Sequence, residues 1–243
     1  DRTLRMLQEI VLAFGSMEVI KTLDLKPNVF HLNEGHSAFT IIRRLQELVN
    51  EQKFSFDEAI NLIRSSTVFT THTPVPEGNE EFDLDLIKSY LENEIKNCGI
   101  TYEKFCEFAQ MPGNKNFILS GLAIRFAKYI NGVSKLHSKV SREMWHSIYP
   151  HLYEDEFPIQ AITNGVHVQS WISRQMSRLF DRYLGTDYQH LAENRSAWKN
   201  IHTIPDVEIW HAHQQRKEQL ISFVRTRLQS TLVYRGASAN RVS

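Results

Sequence analysis

Short strands that alternate with amphipathic helices constrain the fold of this chain more than any other feature. The clearest strand covers residues 67–71, where β-branched and aromatic side chains predominate, and further strands are predicted over 29–32, 129–133 and 158–162. The segments between them are helical in their periodicity. This alternation predicts an α/β fold with a parallel, doubly wound sheet. Four strands make only part of such a sheet, so we expect it to be incomplete.

The helices are predicted from spacing and from their end signals. Residues 3–23 carry apolar side chains at helical intervals and should form a helix with one buried stripe, made of Leu4, Leu7, Val11, Phe14 and Met17. Ser55 is a suitable N-cap for a helix that reaches Arg64. Residues 172–230 contain no convincing strand, and Pro205 suits the first turn of a long helix there. The chain therefore changes character after Trp171.

Composition excludes several classes of function. The 243 residues are 42% hydrophobic, which allows a sizeable core, and 28 basic residues balance 28 acidic ones. A net charge of zero argues against a nucleic-acid surface. No apolar run approaches the roughly 20 residues of a membrane helix, so we expect no membrane partner. Two cysteines are too few for a disulfide framework, which favours a reduced, cytoplasmic setting.

Three motifs place polar side chains just after predicted strands. They are HLNEGHSAF (31–39), FTTHTPVPEG (69–78) and ITNGVHVQSW (162–171). In an open α/β sheet the ligand cleft lies outside the carboxyl ends of the strands, where such turns meet. The motifs therefore mark the candidate site.

Each motif also has an explanation in local structure alone. Asn33 or Ser37 could cap a helix, His72 could bond to nearby backbone, and Asn164 precedes a glycine as in many tight turns. An asparagine amide both donates and accepts hydrogen bonds, as sugar hydroxyls do, so Asn164 also suits a neutral hexose. His137 is interpreted as a residue of a helix capped by Ser134.

Together and in this order, the motifs resemble those of the α-glucan phosphorylases, the starch and glycogen phosphorylase family. The chain is most similar to the shorter bacterial and archaeal branch, and to an internal fragment of it. The resemblance implies part of a GT-B fold. Residues 1–163 would be the C-terminal part of the Rossmann-like N-terminal lobe, and residues 164–243 the hinge and helical start of the C-terminal lobe.

The resemblance also implies roles for individual residues. His72 would be catalytic and substrate-binding, since its side chain would bind the glucose 6-hydroxyl and its carbonyl oxygen would face the reacting sugar. Asn164 would bind the same hydroxyl. Glu34 and His36 would contact the glucan on the acceptor side, and Glu77 would order the turn after His72 by hydrogen bonding and contribute to the substrate site.

The family's substrates and cofactor follow from the same resemblance. They are an α-glucan, inorganic phosphate and pyridoxal phosphate, the last held by the C-terminal lobe through a lysine segment that nothing here matches. We therefore expect no cofactor-binding residue and no metal ligand in this chain. The fragment alone should be inactive, and the full-length protein should be a homo-oligomer.

Two other functions remain open from the sequence. A nucleotide-sugar glycosyltransferase of the same fold, such as a glycogen or starch synthase, would differ in the lobe that follows. A non-catalytic glucan-binding module would bind maltooligosaccharides without any second lobe. His211 and His213 lie two apart on a predicted helix and point in different directions, so they do not indicate a metal site.

Overall fold

The chain divides into two compact units, Asp1–Asn164 and Gly165–Ser243, each of which is described by itself. The structure is a computed structural model that describes residues 1–153, 156–186, 188 and 195–236. Residues 154–155, 187, 189–194 and 237–243 lie outside the described part.

The first unit is built on a four-stranded parallel sheet. Its strands are β1 (Phe30–Asn33), β2 (Thr67–Thr71), β5 (Tyr129–Gly132) and β6 (Ile159–Ala161), in the spatial order β1-β2-β5-β6. Asn33 pairs with Thr70, and Thr70 with Asn131, so the strands end nearly level with one another. The predicted α/β fold with a parallel sheet is confirmed, and all four predicted strands are present.

Helices connect and flank the short strands of this unit. They are α1 (Arg2–Thr22), α2 (Thr40–Gln46), α3 (Phe56–Ser65), α4 (Leu84–Lys96), α5 (Tyr102–Glu107), α6 (Leu119–Arg125) and α7 (Lys135–Trp145). Short 3₁₀ turns cover Gly35–Ser37, Pro76–Gly78 and His146–Ile148, and a π-helical turn over Glu47–Glu51 continues α2. Ser55 caps α3 as predicted, and Glu58 completes a reciprocal capping box with it.

The two faces of the sheet differ in chemistry. One face carries Leu32, Phe69, Ile130 and Ile159, which are all buried in the core. The other carries polar residues at the alternate positions, namely His31, Asn33, Thr70, Asn131 and Gln160. Strands added in one direction by crossovers of one hand place every crossover on the same face. The described strands therefore make one half of a doubly wound arrangement.

Helix α1 forms as predicted, but its buried face is only partly the predicted one. Met17 of the predicted stripe is buried and Phe14 packs against the core, whereas Leu4 and Val11 are exposed. Met6, Glu9 and Ala13 complete the buried face instead. Because that face includes the carboxyl group of Glu9, which lies near Glu80, an apolar pattern alone does not mark it.

Three small elements escaped prediction. Two of them are strands, β3 (Glu81–Phe82) and β4 (Phe117–Ile118), which pair antiparallel with each other. Helix α5 was also missed, although Thr101 caps it by accepting a hydrogen bond from the Lys104 amide at 3.3 Å. Two-residue strands and a six-residue helix are too short to establish a period.

The second unit is helical where it is described. It contains α8 (Val168–Trp171), α9 (Arg174–Leu184), a 3₁₀ segment over Arg195–Thr203 and α10 (Asp206–Tyr234). Phe180, Tyr188 and Trp198 meet edge to face, and Glu208 of α10 accepts hydrogen bonds from Arg182 (2.8 Å) and Tyr183 (2.5 Å) of α9. The predicted long helix after Pro205 is confirmed. Its apolar stripe, which includes Trp210 and Val224, is exposed.

Two further findings bear on the class of protein. None of the helices in the described ranges is both long and apolar enough to cross a membrane. Cys98 and Cys106 are free and buried, and burial raises the pKa of the Cys98 thiol to about 12.

Candidate functional site

The candidate site lies where the parallel strands end. Because β1, β2, β5 and β6 run in one direction, the residues after them share one edge of the sheet. Glu34 follows β1 directly, and His72 follows β2. Val133 follows β5 and Asn164 comes three residues after β6. The structure thus brings three of the five predicted site residues to a single edge.

Glu34 connects the first two strand ends. Its backbone amide donates to Thr70 O at 2.9 Å, and its carboxylate Oε1 accepts from the His72 amide and, at 3.3 Å, from the Thr73 hydroxyl. The backbone of Glu34 has φ 66° and ψ 169°, a region that only glycine adopts readily. Such strain costs about 1–3 kcal/mol and accumulates at functional sites. The carboxylate is therefore held over the start of the His72 turn at some cost to the backbone.

Gly35 explains why the turn lies so close to α6. A Cβ at this position would lie 2.8 Å from Ser120 Oγ and 3.0 Å from the Ser120 amide nitrogen, so no larger residue fits without movement. The 3₁₀ turn that starts here packs on α6 and α1. Close backbone approach, for which glycine is suited, thus fixes the direction in which Glu34 leaves β1.

His72 is fixed at both its backbone and its ring. Its Nε2 lies 2.7 Å from Asn33 Oδ1, and since a carbonyl oxygen accepts, Nε2 carries the proton and donates. In a neutral imidazole this leaves Nδ1 as an acceptor. The side chain is exposed, and Pro74 and Pro76 stiffen the turn after it. His72 can therefore offer an oriented acceptor to a hydroxyl group above the sheet edge.

The helix-capping role that the sequence allowed for Asn33 or Ser37 is not seen in this turn. Asn33 bonds the His72 ring rather than capping a helix, and the Ser37 hydroxyl donates to Glu34 O at 2.9 Å. Helix α2 starts at Thr40 without a side-chain cap. The polar residues after β1 are thus engaged with the neighbouring strand end and with their own turn.

Asn164 lies at the same edge but two strands away from His72. Its amide donates to Val133 O at 3.2 Å, and its side chain is exposed. Neighbouring strands are about 4.8 Å apart, so β2 and β6 are separated by roughly 10 Å across β5. Among the described hydrogen bonds, none joins His72 to Asn164.

His36 and Glu77 are placed differently from the other three residues. His36 is half-buried and lies near the Glu80 carboxylate. The Glu77 side chain is exposed, and among the described residues no hydrogen bond from it orders the turn. That ordering is instead done by Asn79, whose side chain donates to Val75 O at 3.1 Å and accepts from Ser120 Oγ at 2.9 Å. The structural role predicted for Glu77 thus belongs to Asn79.

Two glutamates lie close together beside Arg5, Glu9 fully buried and Glu80 partly exposed. The Arg5 guanidinium contacts Glu80 and lies 3.2 Å from Glu9. Burial raises the pKa of Glu9 to about 9, with the nearby Glu80 carboxylate contributing. Burial alone would raise the pKa of Glu80 too. Interactions with Glu9 and Arg5, and the charges of Arg5 and His36, instead leave the pKa of Glu80 below its ordinary value.

Comparison with known proteins identifies the family. A family model described as carbohydrate phosphorylase matches residues 4–235. The chain belongs to the carbohydrate phosphorylase family.

Curated relatives agree with this membership. Maltodextrin phosphorylase from Thermococcus litoralis is 37% identical over 224 residues, which are 92% of this chain and 26% of that protein. Glycogen phosphorylase from Mycobacterium tuberculosis is 32% identical over 249 residues, covering 98% of this chain and 28% of that protein. Glycogen phosphorylase from Aquifex aeolicus is 34% identical over 229 residues, which are 93% of this chain and 32% of that protein. This phosphorylase family chain thus spans about a quarter to a third of their length.

A row of hydrogen-bonded side chains on the polar face of the sheet was not predicted from the sequence. The Thr70 hydroxyl donates to Asn131 Oδ1 at 2.7 Å, so His31 Nε2, at 2.6 Å from Thr70 Oγ1, must be the donor of that second bond. In the register of the sheet, Thr70 and Asn131 lie in one row with Asn33, and His31 lies two residues before Asn33 on the same face. Polar residues at alternate strand positions were the available signal, and it appears only once the strands are in register.

No metal site accompanies this arrangement in the described part of the chain. A search of those residues finds no group of three or more His, Cys, Asp or Glu side chains that could hold an ion. The chemistry at the strand ends rests on carboxylate, imidazole, hydroxyl and amide groups.

Proposed function

We propose that this chain is a central part of an α-1,4-glucan phosphorylase, which releases glucose 1-phosphate from glycogen, starch or maltodextrin. In that reaction the bond from glucose C1 to the glycosidic oxygen breaks, a phosphate oxygen bonds C1, and the leaving oxygen takes a proton. The supporting observation is the oriented His72 at a polar strand edge in a member of the carbohydrate phosphorylase family.

His72 is assigned two tasks in this proposal. Its Nδ1, left as an acceptor by the bond from Nε2 to Asn33, would accept from the glucose 6-hydroxyl. Its carbonyl oxygen would face the sugar ring, where positive charge develops as the glycosidic bond breaks. Glu34 holds the amide of the same residue and so fixes both groups. Positioning of this kind accounts for a large part of many rate enhancements.

Asn164 would bind the same hydroxyl from the opposite side. A carboxamide both donates and accepts, so it can complement a hydroxyl that already donates to His72. A site built around one hydroxyl discriminates strongly against ligands that lack it, since its own polar groups are then left unpaired. We further propose that Glu34, His36 and Glu77 serve the acceptor side of the glucan, with Glu34 acting through the His72 turn.

The cofactor is proposed to belong to other parts of the protein. A phosphate-bearing cofactor needs lysine, arginine or converging N–H groups. The residues bonded around His72 are Asn33, Glu34, Thr70 and Thr73, and none of them is a cation. These residues therefore do not fit pyridoxal phosphate. In phosphorylases its phosphate acts in acid–base catalysis, and we propose that the whole protein holds it outside this chain.

The wider assignments are part of the same proposal. The unit Asp1–Asn164 would belong to the N-terminal lobe of a GT-B fold, and Gly165–Ser243 would contain the hinge and helical start of the C-terminal lobe. The whole protein would act in the cytoplasm as a homo-oligomer on α-glucan and inorganic phosphate. The 243-residue chain alone would have no activity.

The test is product analysis with the whole protein. Incubation with maltodextrin and inorganic phosphate should release glucose 1-phosphate, and a His72→Ala variant should lose about 100-fold in kcat/KM. His151→Ala is the matched control, since that histidine is exposed and bonds none of the site residues above. Transfer of glucose from a nucleotide sugar, without phosphorolysis, would contradict the proposal. Glucose 1-phosphate release by the isolated chain would contradict the assignment of the cofactor.

A further inference from the structure

Side chains in the first turn of α7 form hydrogen bonds with the ends of two strands. None of these side chains has been assigned a role in the candidate site. His137 Nδ1 accepts from the Val133 amide at 3.2 Å, just past β5. The Ser138 hydroxyl donates to Gln160 O in β6 at 2.9 Å. Ser134 caps the helix by accepting from the His137 amide at 3.0 Å. One helical turn therefore sets the position of both strand ends on this side of the sheet.

The contact depends on Gly132 at the end of β5. A Cβ there would lie 2.7 Å from Ser138 Oγ and 2.8 Å from His137 Nδ1, well inside van der Waals distance. Because glycine has no side chain, the imidazole can approach the strand closely enough to reach the next amide. The geometry is thus specific to this pair of positions.

The imidazole of His137 is not explained by core packing alone. It is 9% exposed, and since Nδ1 accepts, the proton of the neutral ring is on Nε2. That Nε2 is buried and, among the described residues, has no hydrogen-bond partner. A buried donor left without a partner destabilises the folded state. An apolar residue would avoid this cost, so the bond to Val133 is what the histidine contributes.

Val133 connects that bond to the candidate site. The amide of Val133 is held by His137, and its carbonyl oxygen accepts from the Asn164 amide at 3.2 Å. Asn164 has an exposed side chain and follows β6, whose last residue, Ala161, pairs with Gly132. The backbone that carries the carboxamide therefore rests on a peptide group whose position His137 determines.

We propose that His137 is a positioning residue for Asn164. By fixing Val133, it holds the Asn164 backbone where the carboxamide can meet the sugar hydroxyl, without touching the sugar itself. This inference rests on the proposed function, because the role of Asn164 does. The proposal gives a physical reason for the direction in which the Asn164 side chain leaves the backbone.

Three substitutions separate the hydrogen bond from the bulk of the ring. His137→Asn keeps an acceptor near the position of Nδ1, His137→Gln moves the acceptor toward the position of Nε2, and His137→Leu has none. In the whole protein, kcat/KM is measured for chain extension from glucose 1-phosphate and from its 6-deoxy analogue. We expect His137→Leu and His137→Gln to lose about tenfold with glucose 1-phosphate and little with the analogue. His137→Asn should retain most activity.

A double variant and an exchange measurement complete the test. His137→Leu should add little to Asn164→Ala, because both remove the same contact. Amide hydrogen exchange at Val133 and Asn164 should rise in His137→Leu and stay low in His137→Asn. Unchanged exchange, or equal losses with both substrates that add to those of Asn164→Ala, would overturn the inference. Altered exchange in a protein whose Asn164→Ala variant does not discriminate the substrates would instead refute the proposed role of Asn164 and keep the structural link.

Discussion

Two glutamates of the first unit, Glu34 and Glu9, have opposite kinds of neighbour. Glu34 is half-buried and its carboxylate accepts hydrogen bonds from the amide and hydroxyl that begin the His72 turn. Glu9 is fully buried in α1 and faces another acid, Glu80, which follows that turn. Glu34 is satisfied by donors, whereas Glu9 must carry a proton to face a carboxylate. The neighbouring groups, and not the residue type, therefore decide whether a carboxyl group is ionised or protonated in the fold.

The backbone conformations of Glu34 and Glu9 differ as well. Glu34 occupies a strained conformation at φ 66°, while Glu9 lies in a regular helix. Strain of about 1–3 kcal/mol is tolerated where a side chain must be aimed, and a residue that only fills the interior has no such requirement. We therefore expect substitutions at Glu34 to affect activity first, and substitutions at Glu9 to affect stability and its dependence on pH.

The largest effect is expected from Glu34→Gly. Glycine relieves the backbone strain but removes the acceptor that holds the His72 amide. A hydrogen bond to a charged group contributes about 1.5–3 kcal/mol, so kcat/KM of the whole protein should fall about 10- to 100-fold. The thermal midpoint should stay constant or rise. Glu34→Gln keeps a neutral acceptor and should lose less activity. Full activity in Glu34→Gly would show that the contact does not position His72.

A second test targets the attachment of the Glu34 turn to α6. Gly35→Ala would place a methyl group against Ser120, and overpacking of this kind costs about 1–3 kcal/mol. Gly15→Ala in α1 is the matched control, since no atom lies within 4 Å of the added Cβ and alanine favours a helix by about 1 kcal/mol. Unfolding midpoints in urea should therefore move in opposite directions. A shift in the same direction for both variants would contradict the packing described for Gly35.

The effect most specific to pH concerns Glu9. Its pKa is raised from 4.5 to about 9 in the fold, so its contribution to stability is complete below pH 4.5 and is lost as pH rises toward 9. Glu9→Gln mimics the protonated form and should remove this dependence. The variant should match the parent near pH 4 and be the more stable of the two at pH 8 by at least about 1.4 kcal/mol, the equivalent of one unit of pKa.

The exposed Glu107→Gln is the control for that measurement. Its free energy of unfolding should follow that of the parent at every pH. A difference between Glu9→Gln and the parent that does not vary with pH would mean that Glu9 is ionised in the fold, and would remove the contrast with Glu34.

Much of the fold could be predicted because local signals agree with it. Strand β2 has the predicted bounds, since its β-branched run is closed by prolines, and α3 starts at a capping serine. The β3–β4 pair could not be predicted, because Glu81 and Ile118 are brought together only by the tertiary fold. The buried face of α1 could not be chosen for a similar reason. That face packs against α2 and the Gly35–Ser37 turn, which come later in the chain, so local spacing does not select it.

The candidate site was also predictable only in part. Motif positions indicated that Glu34, His72 and Asn164 belong near one sheet edge, because parallel strands bring their carboxyl ends together. The partners of these residues were not visible. Asn33, at the end of β1, reaches the His72 ring just past the neighbouring strand β2, and Asn79 orders the turn that Glu77 was predicted to order. Contacts of this kind depend on register and side-chain direction, which sequence spacing does not encode.

The most direct test of the central claim is a crystal structure of the whole protein with glucose 1-phosphate or a maltooligosaccharide bound. We predict that one sugar hydroxyl lies within about 3.2 Å of both His72 Nδ1 and the Asn164 carboxamide, with the ring of His72 still donating to Asn33. A sugar bound elsewhere, or one that contacts only one of the two side chains while the other faces solvent, would contradict the account.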